Sequence, residues 1–105
     1  MMKTIKDYRR CDVLLVPTRA QEIEYVIDNE NSVESYDKLR HIIYLNNRDP
    51  IIVVTMKSKL IDGWNKPISR VGMFPMLAYS IDDITMRLKE LDMWIKDING
   101  KSVGH

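Results

Sequence analysis

Asp12-Val13-Leu14-Leu15-Val16-Pro17 holds an unbroken apolar run with no alternation of polar and apolar positions. A strand exposed on one face alternates, so an unbroken run predicts a strand covered on both faces, as in parallel sheets. Pro17 cannot donate to a β-ladder and ends the run. A second run of the same kind, Ile51-Ile-Val-Val-Thr55, is β-branched throughout its apolar part and predicts a second buried strand. Two such strands joined through helical chain imply a crossover unit.

Between them, Thr18 is placed to N-cap a helix with Gln21 three positions on. Ile23, Val26 and Ile27 then share a face, and the acidic Glu22 and Glu24 suit the positive helix end. The competing reading of Gln21 to Asn29 is a strand, because Ile23, Tyr25 and Ile27 alternate. Asn31-Ser-Val-Glu34 resembles another helix start, followed by Val33, Tyr36, Leu39 and Ile43 at helical spacing up to Asn46-Asn47.

Beyond the second strand, Met56 to Gly72 reads as a long polar loop, interrupted by Gly63, Pro67 and Gly72. Met73 to Tyr79 predicts a third strand, with Pro75 confining it to an edge or a bulge. The last helix is the best marked. Ser80 caps it, Asp82 and Asp83 sit in its first turn, and Ile81, Ile84, Leu88, Leu91, Ile95 and Ile98 form an amphipathic stripe ending near Asn99-Gly100. The expected fold is therefore α/β, a small three-layer sheet of about three strands with helices and a C-terminal amphipathic helix. The alternative is α+β with an antiparallel hairpin, should residues 21–29 be a strand. Length predicts a single globular domain over 1–105.

Composition excludes several functions. Sixteen basic against fifteen acidic residues give a net charge of +1. This argues against both an acidic nucleic-acid mimic and a strongly basic binder of nucleic acid. The balance is uneven: residues 18–37 hold six acids and one base, whereas residues 57–70 hold four bases and one acid. A basic arm of Lys3, Lys6, Arg9 and Arg10, with Tyr8 among them, leaves nucleic acid as a disfavoured partner. The single cysteine, Cys11, makes no internal disulfide, and with only His41 and His105 as histidines no metal cluster or cofactor site is expected. No run approaches the ~18 apolar residues of a membrane span, so a cytoplasmic protein without a membrane partner is expected.

Five groups of residues are candidates for chemistry or binding. Thr18 and Arg19 follow the first strand, where parallel sheets collect ligands, and offer a hydroxyl and a cation for a phosphate; no glycine-rich phosphate loop accompanies them. Glu22, Glu24, Asp28 and Glu30 form a carboxylate series that reads as a solvated helix face. Asp37 and His41, four apart on the expected helix with Tyr44 beyond, would let a carboxylate orient an imidazole, though an exposed ion pair is the simpler reading. The loop carrying Trp64, Asn65 and Lys66, extended by Arg70 and Phe74, combines residue types enriched at binding hot spots. On the last helix, Met86 and Met93 lie off the main stripe with Trp94 beside it, an arrangement suited to a homodimer interface.

With no catalytic motif in view, the expectation leans away from an enzyme. It is a small binding module of inhibitor or adaptor type that acts on a protein partner as a homodimer. The style of the chain, short and rich in Met, Ile, Asn and Asp, suggests a phage or mobile-element protein. The rival expectation is a nucleotide- or phosphate-binding α/β protein, enzymatic or not, that uses Thr18 and Arg19.

Overall fold

The structure is a computed structural model and describes residues 4–103; Lys3 and His105 lie outside the described residues. After a short 3-10 turn at Ile5–Asp7, the elements are β1 (Cys11–Val16), α1 (Arg19–Asp28), β2 (Val33–Asp37), β3 (Ile42–Leu45), β4 (Ile51–Thr55), β5 (Ile68–Met73) and α2 (Ile81–Val103). The five strands form one sheet in the order β2-β3-β4-β1-β5. β1 runs parallel to β4 and to β5, while β2, β3 and β4 are joined antiparallel. The sheet is mixed and the fold is of α+β kind, with two more strands than the three expected.

The central run behaves as its composition demands. Cys11, Val13 and Leu15 point to one face and pack in the cluster that α2 covers through Leu91, Ile84 and Ile95. Leu14 and Val16 point to the other face and meet Tyr25 and Val26 of α1. Both faces of β1 are thus covered from Val13 to Val16, and its polar residue, Asp12, sits at the half-buried start of the strand. Burying a leucine such as Leu15 completely is worth about 1.5–3 kcal/mol.

α1 forms as its cap predicts. Gln21 Oε1 accepts the Thr18 backbone N–H at 3.0 Å and the Thr18 hydroxyl at 2.6 Å. Its buried face differs from the expected one, however. Ile23 and Ile27 are exposed, and the face against the sheet carries Glu22, Tyr25 and Val26.

The helix expected from Asn31 to Asn46 is instead the β2–β3 hairpin, with Tyr36 opposite Ile43 and Asp37 opposite Ile42. Its apolar positions fit a helical stripe, but Leu39 sits in the turn and is 93% exposed. Ile42 to Leu45 are all buried, and β3 is drawn into the sheet by β4. Tertiary pairing here overrides a local helix pattern. The antiparallel hairpin of the alternative reading is therefore present, built from residues 33–45 and not from 21–29.

The third strand also lies earlier than expected, at Ile68–Met73 and not at Met73–Tyr79. Phe74 N–H still donates to Leu15 O at 2.9 Å, and Pro75 then ends the pairing because it has no N–H to offer. At α2, Ser80 Oγ accepts the Asp83 N–H at 3.1 Å as its cap. Asn99-Gly100 does not stop the helix. Asn99 faces the sheet instead, accepting from Ile68 N–H at 2.8 Å and donating to Ile68 O at 3.1 Å.

Candidate functional site

β3 pairs only with the first part of β4, through Ile42 with Ile52 and Ile43 with Ile51. After Val53 N–H donates to His41 O at 2.9 Å, the edge of β4 has no neighbouring strand among the described residues. Two arginines cap it. Arg19 of α1 donates from Nη1 to Val53 O at 3.2 Å, and Arg87 of α2 donates from Nε and Nη2 to Thr55 O at 3.1 and 2.8 Å. Ser58 Oγ takes the Thr55 N–H at 2.9 Å. Capping of this kind stops an open edge from recruiting another strand and leaves a notch walled by side chains.

A carboxylate lies beneath the notch. Glu22, in the first turn of α1, is only 1% exposed. Its Oε1 accepts Arg19 Nη1 at 2.7 Å, and its Oε2 accepts the Tyr36 hydroxyl and the His41 Nδ1–H, the latter at 2.9 Å. A buried carboxylate is tolerable only when its lone pairs are met by donors, and α1, β2 and the hairpin turn each supply one. Burial, with Glu22 as acceptor, pushes the Tyr36 hydroxyl well above its ordinary range, so it stays protonated and keeps donating. Because a carboxylate only accepts, Nδ1 carries the His41 proton and Nε2 is the ring nitrogen left over. His41 holds this place with a left-handed backbone, φ 59°.

Arg19 is used on one side only. Its Nη1 serves Glu22 and Val53 O, which sets the guanidinium plane, while Nε and Nη2 carry no hydrogen bond to the described residues. The side chain is 38% exposed and faces the cavity. That cavity, about 430 Å³, brings four cationic or basic side chains, Arg19, Arg40, His41 and Lys59, beside an apolar wall of Leu39, Ile61, Trp64 and Trp94. Among the described residues, no acidic side chain lines it. Arg40 and Lys59 have only loose carboxylate neighbours, Asp37 at 3.9 Å and Asp62 at 4.0 Å.

The tryptophans are fixed differently. Trp94 Nε1 donates to Ile61 O at 2.9 Å. Trp64 Nε1 is buried without a conventional acceptor and lies beside the Cys11 sulfur. Burial pushes that thiol up to about 12 despite the opposing pull of the indole N–H. Among the described residues, no group of three or more His, Cys, Asp or Glu side chains is placed to hold a metal ion.

The structure redistributes the expected sites. Arg19 stands at the end of β1 as foreseen, but the Thr18 hydroxyl is occupied by Gln21. Trp64 and Phe74 pack on opposite faces of the sheet, Phe74 against Tyr25 with ring centroids 6.2 Å apart. Asn65 is exposed and Lys66 half-buried. Arg70 lies on edge strand β5, in a separate open cleft of about 990 Å³ with Tyr8, Asp12, Arg48 and Asp49. In that cleft burial raises the Asp12 carboxyl, against the lowering influence of Arg70 and Arg48.

Met86 and Met93 are 66% and 72% exposed on the outer side of α2, whereas Trp94 turns inward to the notch. Asp37 accepts the Arg40 backbone N–H at 3.1 Å, and Glu22, not Asp37, is the carboxylate on His41. Lys6, Arg9 and Arg10 of the basic arm are exposed, Arg10 donating to Ser69 Oγ at 3.2 Å. Glu22 had a readable signal: it precedes Tyr25 and Val26 by three and four positions, which puts a carboxylate on the apolar face of α1.

No described helix is long and apolar enough to cross a membrane. No protein family, curated protein or solved structure matches the chain.

Proposed function

We propose that the protein binds a small organic oxyanion, a phosphate or carboxylate group carried on an apolar or aromatic body, in the notch beside β4. The observation that carries this reading is the half-used guanidinium of Arg19. Its Nη1 is pinned by Glu22 and Val53 O, and its Nε and Nη2 edge is presented to a cavity lined by further cations. A pre-oriented arginine fork matches the two oxygens of a carboxylate or phosphate, and the tryptophan-bearing wall supplies surface for the rest of the ligand. The test is thermal unfolding with phenyl phosphate and with uncharged phenol. Phenyl phosphate at saturating concentration raises the midpoint by several degrees, and phenol does not. Absence of any shift with phenyl phosphate overturns the proposal.

A second reading, a macromolecular binding module that self-associates, is favoured by Met86 and Met93. They are seven residues apart on α2 and turned away from the sheet. Flexible, polarizable methionines suit an adaptable interface. Light scattering at high concentration checks it: a dimer has twice the 12.4 kDa chain mass, and a particle of the chain mass alone removes this reading.

A further inference from the structure

We infer that the notch is also a catalytic site, in which His41 acts as general base in the hydrolysis of a phosphodiester held by Arg19. The inference rests on the oxyanion reading above and extends it from binding to turnover. Binding alone requires only the Arg19–Glu22 pair. The structure adds an imidazole, on a left-handed residue in a hairpin turn, and backs it with the same buried carboxylate. A base works on a substrate only if its ring is held in one tautomer and one orientation, and a carboxylate on Nδ1 does both.

The chemical class of the substrate follows from the geometry of Glu22. Arg19 Nη1 sits 2.7 Å from one carboxylate oxygen and His41 Nδ1 sits 2.9 Å from the other. Both residues also line the one cavity, so the anionic group that Arg19 binds and the atom that His41 serves belong to one small region. The electrophile must itself carry the negative charge, which describes a phosphate ester. A diester depends more on the incoming nucleophile than a monoester, whose transition state is loose and gains little from a base. The wall of Trp64, Trp94 and Leu39 then faces an apolar or aromatic ester substituent.

The step balances without any redox change. His41 Nε2 takes a proton from a water molecule as the water oxygen forms a new bond to phosphorus. The phosphorus–oxygen bond to the leaving alcohol, on the side opposite the water, breaks with its electron pair; that oxygen takes its proton from solvent, and Nε2 returns its own proton to solvent. The products are a phosphate monoester and an alcohol. The Nε and Nη2 edge of Arg19 holds the non-bridging oxygens as charge builds on them.

The experiment follows nitrophenolate release from bis(p-nitrophenyl) phosphate by the full chain, with thermal unfolding in the same solutions. Wild type gives saturable release. His41→Asn, chosen because asparagine accepts a left-handed backbone, loses about 100-fold or more of the rate while the substrate still raises its unfolding midpoint. His41→Gly, which opens the space of the ring, regains release when free imidazole is added. Binding by wild type without release above background overturns catalysis and leaves the oxyanion reading standing. So does release by folded His41→Asn at the wild-type rate. If wild type shows neither a midpoint shift nor release, the oxyanion reading fails with it.

Discussion

His41 Nδ1 and Glu22 Oε2 are 2.9 Å apart although 19 residues separate them in the chain. This contact ties the β2–β3 turn to α1 over the edge of β4. Because Glu22 is buried, its removal leaves Arg19 and His41 facing each other without the charge between them. Breaking a buried pair on one side costs roughly 3–5 kcal/mol. Arg19 and His41 are 38% and 34% exposed and rehydrate in part, so Glu22→Ala is expected at the low end, about 3 kcal/mol. Urea unfolding reads this directly, and an unchanged midpoint contradicts the role given to Glu22.

Cys11 predicts how stability responds to alkali. Burial raises its thiol from an ordinary value of 9.0 to about 12 in the folded chain. The unfolded chain releases that proton first, so the contribution to stability is complete below about pH 9 and is lost as pH rises toward about 12. Cys11→Ala should flatten this part of the pH–stability curve. The native protein should also resist thiol labelling at pH 8, and rapid labelling there would show that the sulfur is accessible.

Arg87 tests the other side of the notch. It is buried and donates twice to Thr55 O and also to Ser58 O, so it holds the start of the 56–67 connection against β4. Hydrogen bonds from charged groups are worth roughly 1.5–3 kcal/mol each before relaxation. Arg87→Ala is expected to lower stability by about 3 kcal/mol and to open residues 57–66 to limited proteolysis. A variant that resists protease as wild type does would show that this connection is held by other contacts.

The parts of the fold legible from sequence are those with strong local causes. The unbroken apolar runs placed β1 and β4, Thr18 with Gln21 placed the start of α1, and Ser80 placed the start of α2. The hairpin was hidden because its turn, between Asp37 and Ile42, contains neither glycine nor proline. Its left-handed position is filled by His41, and Val33, Tyr36 and Ile43 happen to recur at helical spacing.

The site shared that fate. Arg19 was visible as the cation after β1, but the partnership of Glu22 with His41 exists only once residues 33–45 fold as a hairpin. Trp64 and Trp94, expected in separate surfaces, meet at one cavity because α2 crosses the sheet.

The role of Arg19 as the ligand fork is measured by calorimetric titration of phenyl phosphate into wild type and Arg19→Lys. Lysine keeps the charge and loses the planar fork. Wild type is expected to bind saturably, and a folded Arg19→Lys at least about tenfold more weakly, about 1.4 kcal/mol. Equal affinity for the two proteins, or no binding by wild type, would show that Arg19 is not the ligand fork.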